Sequence, residues 1–277
     1  MQEQYRLAIE SAWQKGPALT QVERQELVPI LENCLSELDA GHLRIAIKTE
    51  AGWKVDETLK KGLSLLLSSC QARLFQDSWV SYWDRISMKT AGWTEAQFQA
   101  AGFRICAGAI VRCGAYIAPS VALMPSFVNM GAYIDEGTLI DSWATVGSCA
   151  QVGKWCHISE GAALGGVLEP IQALPVIIED HCFIGGRAGI FEGVHVGEGA
   201  VISSGVIINA STHIIDRATG KHTHGFVPPY AVVVPGSYET APGLSLACAV
   251  IVKMADEQTR AKTSLNFRLR TKSEKAL

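Results

Sequence analysis

The sequence predicts a mainly β chain, a parallel β-helix of hexapeptide repeats with an α+β domain before it and a short strand and helix extension after it. Three observations carry this prediction. The first is a period of six. Val111, Ile117 and Leu123 begin it, and Val128, Ile134, Ile140, Val146, Val152, Ile158 and Leu164 continue it. After a frame break come Ile178, Ile184, Ile190, Val196, Ile202, Ile208 and Ile214, and after another Val227 and Val233, so that all nineteen positions hold Ile, Leu or Val. The second observation concerns the positions between these aliphatics. Four residues on stands a small or modest side chain in most units (Ala132, Thr138, Ala144, Ala150, Ala162, Ala188, Ala200), and one residue on often stands Gly or Ser (Gly147, Gly153, Gly185, Gly197, Ser203). The third is that the 26 glycines, set against only 10 prolines, crowd into Gly102–Gly243, where tight corners must recur.

The region before Gly102 has a different rhythm. Val22, Leu27, Ile30, Leu31, Cys34, Leu35 and Leu38 recur at helical spacing, and Gly41 comes next where a helix end favours a left-handed residue. Leu59, Leu63, Leu66, Leu67, Cys70 and Leu74 predict a second helix. Between them Leu43–Lys48 alternates with period two and, with Gly52–Val55, predicts a short hairpin. These segments carry no recognisable chemistry of their own.

In the repeat region each six residues supply one short strand and one corner, three units close a triangular coil, and the branched aliphatic points inside. Equivalent aliphatics then stack about 4.8 Å apart, and nineteen units give about six coils, on the order of 30 Å of prism. A loop can leave such a prism only where the frame breaks. One excursion therefore lies between Leu164 and Ile178 and contains Gly165-Gly166-Val167-Leu168-Glu169-Pro170; a second, polar one contains Asp216–Gly225. A strand over Ser245–Met254 and a basic helix over Asp256–Arg270 are expected to close the chain. The expected division is 1–105, 106–237 and 238–277.

Composition narrows the function classes. Lys and Arg total 24 against 27 Asp and Glu, so no basic excess exists for nucleic acid or an anionic membrane. The 8 cysteines form no CxxC pair and no dense disulfide framework. With an amphipathic, charged N-terminal stretch and no apolar run of about 18 residues, the chain reads as a cytoplasmic protein without a membrane span.

Beside a purely structural role, three activities suit a hexapeptide prism: metal-dependent carbonic anhydrase chemistry, nucleotide-sugar-associated nucleotidyl transfer and acyl transfer from coenzyme A. The first needs a histidine triad with a close His-x4-His pair, whereas the only tight pair among the 7 histidines is His222 and His224 on a polar loop. No metal site is expected. The second needs a glycine-rich phosphate loop in residues 1–100, and none is present. Acyl transfer remains.

The run Leu123-Met124-Pro125-Ser126-Phe127-Val128-Asn129-Met130-Gly131-Ala132-Tyr133-Ile134-Asp135-Glu136-Gly137-Thr138, continuing Ile140-Asp141-Ser142-Trp143-Ala144-Thr145-Val146-Gly147-Ser148-Cys149-Ala150-Gln151, resembles the tetrahydrodipicolinate N-succinyltransferase family. So do the first excursion's motif, Ile178–Gly185, Cys248–Lys253, Leu59-Lys60-Lys61 and Gly102-Phe103-Arg104, and the likeness therefore spans nearly the whole chain. Period six does not fix handedness; the resemblance implies a left-handed parallel β-helix. It further implies a homotrimer with active sites between neighbouring prisms, where acyl-CoA meets an amino dicarboxylate. The implied reaction is N-succinylation of tetrahydrodipicolinate, or its ring-opened 2-amino-6-oxopimelate form, in the diaminopimelate route to lysine. Succinyl-CoA, or alternatively acetyl-CoA, is then a cosubstrate, with no permanently bound cofactor.

Particular residues fit this chemistry. Arg can hold a carboxylate with two parallel hydrogen bonds, and Arg104 matches the family's substrate arginine, with Arg187 a second candidate. Attack on a thioester requires a neutral amine, and Asp141, which matches the family's essential aspartate, is the expected catalytic carboxylate and a substrate contact. Trp143 and Glu169 are candidate pocket residues, and Gly166, Ser203, Gly205 and Lys253 are candidate coenzyme contacts. A histidine base, His157 or His213, is the competing mechanism. One departure stands out. Where the family pattern reads Ser-Glu-Val-Val-Glu-Gly, this chain reads Ala188-Gly189-Ile190-Phe191-Glu192-Gly193, so a second catalytic glutamate is replaced by Gly189. The loss is expected to open space, with Glu160 a candidate to compensate. It leaves two further possibilities: a secondary-pathway paralogue of the tabtoxin-biosynthesis type using acetyl-CoA, and a non-catalytic trimeric binding protein.

Overall fold

The computed structural model describes residues 1–76, 80–257 and 259. Helices α1 (Glu3–Lys15), α2 (Gln21–Asp39) and α3 (Glu57–Ser69) pack around Ile9, Leu31, Leu35, Leu63 and Leu66, with the hairpin β1 (Ala46–Thr49) and β2 (Gly52–Val55) between α2 and α3. The expected helix over Leu59–Leu74 is shorter than its apolar spacing. It ends at Ser69 because Cys70 turns extended, and Leu74 instead lies exposed in a strand, β3 (Arg73–Gln76), paired with β4 (Ser81–Asp84). A last helix, α4 (Glu95–Ala101), stops at Gly102, whose φ of 71° suits glycine.

From there the chain winds a left-handed parallel β-helix with three flat faces, each carrying a ladder of mostly two-residue strands. Face I runs Ile117, Ile134, Val152, Ile178, Val196, Val227. Face II runs Leu123, Ile140, Ile158, Ile184, Ile202, Val233, and face III runs Val111, Val128, Val146, Leu164, Ile190, Ile208. The stacked aliphatics are buried and form one continuous core. Ile214 departs from the expected pattern. Although buried, it starts a strand that pairs with Leu244–Met254 instead of joining face I, where Phe226–Val227 takes its place. The chain leaves the prism after Ile208, ahead of the polar Asp216–Gly225 segment, and returns to it at Phe226.

The expected C-terminal strand is present as Leu244–Met254, one arm of a long antiparallel hairpin whose other arm, Ala231–Ala241, continues face II. The basic helix expected over 256–270 lies outside the described residues, apart from its first positions.

The β1–β2 hairpin is latched onto face I by polar contacts. Arg44 lies 3.8 Å over the Tyr133 ring, and its Nε donates to Gln151 Oε1 at 2.7 Å. Glu179, almost wholly buried, accepts from Trp53 Nε1 at 3.1 Å and pairs with Lys48 at 2.8 Å and His195 at 3.0 Å. Burial alone would push the Glu179 carboxyl up, but the Lys48, Trp53 and His195 hydrogen bonds outweigh it and hold the carboxyl below its ordinary range. Because the folded value is the depressed one, this carboxylate contributes its full stability above about pH 5 and loses it as pH falls below about 4. Glu179→Gln is expected to lower stability at pH 7 by roughly 2 kcal/mol and to flatten the loss between about pH 5 and 3 in denaturant titrations.

Candidate active site

The corners of the prism divide the sequence-selected residues into groups. Asp141 comes directly after Ile140 at the edge between faces II and III. One carboxylate oxygen accepts from the Ser142 N–H at 2.7 Å, and the other lies 3.5 Å from His157 Nε2. His157 stands one coil along on face II, held edge-on by Phe183 with ring centroids 5.1 Å apart. Two mechanisms that the sequence sets against each other thus meet in one half-buried pair. His213 is elsewhere, just before the second excursion, with its Nδ1 3.1 Å from that of His222 and its ring 4.4 Å from that of His224. Among the described residues no group of three or more His, Cys, Asp or Glu is arranged to hold a metal ion.

The same edge carries Trp143, Glu160, Arg187, Ser203 and Gly205 on successive coils, linked by backbone bonds from Gly161 N to Ser142 O, Arg187 N to Glu160 O and Gly205 N to Gly186 O. Trp143 is 75% exposed, so its ring is unpacked within this chain and available at the edge. The Arg187 chain runs back over Gly161, where a Cβ would meet Arg187 Cγ at 3.3 Å. Glu160 extends beside Gly186, whose added Cβ would meet Glu160 Oε1 at 3.2 Å. At Gly205 a Cβ would meet nothing within 4 Å, which leaves the corner open to a ligand. Arg104 is exposed at the end of face II, beside Ala122 and two strand spacings from Leu139, roughly 10 Å from the Asp141 coil.

Glu169 and Gly166 lie on a different edge, between faces III and I, where the first excursion leaves after Leu164. Glu169 Oε1 accepts from Ser64 Oγ at 3.0 Å. Gly166 packs on the neighbouring coil so closely that a Cβ would stand 2.7 Å from Ser148 N, and coil packing by itself accounts for that glycine. Lys253, on the terminal hairpin, is engaged by Asp256 at 2.7 Å. One chain therefore presents Asp141 and Glu169 on separate edges and does not bring them together.

Gly189 corrects an expectation. The missing side chain leaves no opening, because the Phe191 ring fills its place: a Cβ on Gly189 would stand 2.8 Å from Phe191 Cζ and 3.0 Å from Ile207 Cδ1. Phe191 also covers Gly165 on the next coil, where a Cβ would lie 2.8 Å from its Cδ1. Phe191 is the residue that sequence reasoning passed over; its signal was an aromatic at a corner where neighbouring coils of this face place Asn129, Gly147, Gly165 and Asn209. Gly189→Glu alone is expected to cost about 1–3 kcal/mol through overpacking, and Gly189→Glu with Phe191→Val to recover most of it, as read from denaturant midpoints.

Comparison with known proteins agrees with this architecture. Residues 4–68 match a model described as tetrahydrodipicolinate N-succinyltransferase N-terminal, and residues 175–210 one described as hexapeptide repeat of succinyl-transferase. Proteins named 2,3,4,5-tetrahydropyridine-2,6-dicarboxylate N-succinyltransferase are similar over nearly their full length. That of Methylobacterium sp. (strain 4-46) is 52% identical over 95% of this chain and 96% of its own. That of Gluconobacter oxydans is 53% identical over 96% of this chain and 98% of its own, and that of Methylobacterium nodulans 54% identical over 95% and 96%. With half of its residues shared across both the helical N-terminal part and the prism, the chain belongs to the tetrahydrodipicolinate N-succinyltransferase family of hexapeptide-repeat acyltransferases.

Proposed function

We propose that this protein transfers a succinyl group from succinyl-CoA to the amine of ring-opened tetrahydrodipicolinate, 2-amino-6-oxopimelate, in the diaminopimelate route to lysine. The observation that carries the reading is the 52% identity to a relative of that name over 95% of this chain and 96% of its own, joined to a half-buried carboxylate at the prism edge. Asp141 accepts a hydrogen bond from the substrate ammonium and takes its proton; the freed amine attacks the thioester carbonyl carbon. The C–N bond forms, the C–S bond breaks, and coenzyme A leaves as the thiol after receiving a proton. Ser142 N–H fixes one Asp141 oxygen, and His157 beside the other relays the proton outward. Arg104 and Arg187 hold the substrate carboxylates, Trp143 walls the pocket, and the open corner at Ser203 and Gly205 admits the pantetheine arm, with Lys253 near its phosphates.

The separation of Asp141 from Glu169 and Gly166 supports a homotrimer in which an edge of one prism faces a different edge of its neighbour. Such an assembly working in the cytoplasm, where succinyl-CoA is made, completes the reading. Free-thiol release with succinyl-CoA and acetyl-CoA, each at saturating acceptor, tests the donor. Release at least about tenfold faster with the succinyl donor is the expected result. A preference for acetyl-CoA overturns the donor assignment, and silence with both overturns the activity.

A further inference from the structure

Lys60 takes no part in the proposed chemistry, yet it is fully buried and, among the described residues, the bulkiest of the fully buried side chains. Its Nζ donates to two backbone carbonyls of the first excursion, Ala173 O at 2.8 Å and Pro170 O at 3.2 Å. Among the described residues it makes no ion pair with a carboxylate. Burial draws its ammonium below the ordinary lysine range. An aliphatic side chain of similar length would occupy this position at far lower desolvation cost. What only the ammonium supplies is a pair of donors reaching two points of one loop.

One helical turn further along α3, on the same face, Ser64 holds Glu169. The segment from Glu169 to Ala173 is therefore fastened to α3 at three atoms, while the excursion's first residues are fixed to the prism by Val167 N donating to Ser148 O at 3.0 Å. Without the ammonium the Ala173 carbonyl loses the donor that ties it to α3, and the Pro170 carbonyl keeps only the Ala173 N–H at 3.1 Å, a bond internal to the loop.

We infer that Lys60 is a positioning residue: it pins the excursion to α3 and thereby sets where the Glu169 carboxylate is presented to the acceptor. This rests on the succinyl transfer proposed for the protein. The test combines steady-state kinetics with amide hydrogen exchange on Lys60→Met, whose unbranched side chain is one atom shorter and cannot donate. Expected are exchange at residues 167–176 about tenfold faster with α1–α3 within about threefold of the parent, and an acceptor KM about tenfold higher with kcat nearly unchanged. Lys60→Arg, which keeps the donors, is expected to return at least half of both effects. Ser64→Ala, at the exposed end of the same clasp, shifts both readouts in the same direction by a smaller factor and serves if Lys60→Met does not fold. Unchanged loop exchange, an unchanged acceptor KM, or equal deprotection of α3 and the loop overturns the inference. If the parent protein transfers no succinyl group, the reaction fails instead, and the exchange comparison alone still decides whether Lys60 holds the loop.

Discussion

Asp141→Asn is expected to lower kcat by roughly 10²–10⁴-fold while leaving the KM for either substrate within a few fold. The amide has the same shape and still accepts the Ser142 N–H, so the corner of the prism is preserved. What it cannot do is take a proton from the attacking amine. His157 supplies the control, because its Nε2 lies 3.5 Å from the second Asp141 oxygen. His157→Gln is expected to cost roughly 10-fold, the loss of a relay and not of the base. Should His157→Gln prove the larger loss, imidazole is the base and Asp141 its orienter; Asp141→Asn with full turnover removes Asp141 from the mechanism.

The largest effect on stability is expected in the aliphatic column. Ile202 is fully buried between Ile184 and Val233 on face II. Ile202→Ala is expected to cost about 2–5 kcal/mol, since coils stacked on both sides prevent the cavity from collapsing. Val111, at the end of face III, has a neighbouring coil on one side only. Val111→Ala is expected to cost less than half as much, because a solenoid coil is stabilised by nearest neighbours. Denaturant midpoints of the two variants check this; equal costs would contradict a column stabilised coil by coil.

The prism was legible because its periodicity is enforced physically. Every sixth residue must be a branched aliphatic to fill the triangular core, and eighteen of the nineteen sequence-selected positions take up their places in the three ladders. Ile214 misled because burial against the terminal hairpin demands the same residue type as burial in the prism. Asp141 was legible only through family resemblance, since an acid after the aliphatic is ordinary: Glu179 occupies that position and serves as a latch. Lys60 and Phe191 were not legible as contacts. Each acts across elements distant in sequence, Lys60 on a loop more than a hundred residues away and Phe191 on a glycine of the neighbouring coil. No local period records such pairings. The Gly189 departure shows the same limit, because an absent side chain reads as a void until the residue that fills it is known.

At the centre of the proposed function is a carbon–nitrogen bond made at the acceptor amine at the expense of a thioester. Mass spectrometry of the products of a reaction containing the 277-residue protein, succinyl-CoA and tetrahydrodipicolinate tests it most directly. The expected result is one N-succinylated acceptor for each coenzyme A thiol released, and neither product when Asp141→Asn replaces the parent over the same interval. Thiol release without an N-acylated acceptor, or an acylated acceptor formed equally well by Asp141→Asn, would contradict it.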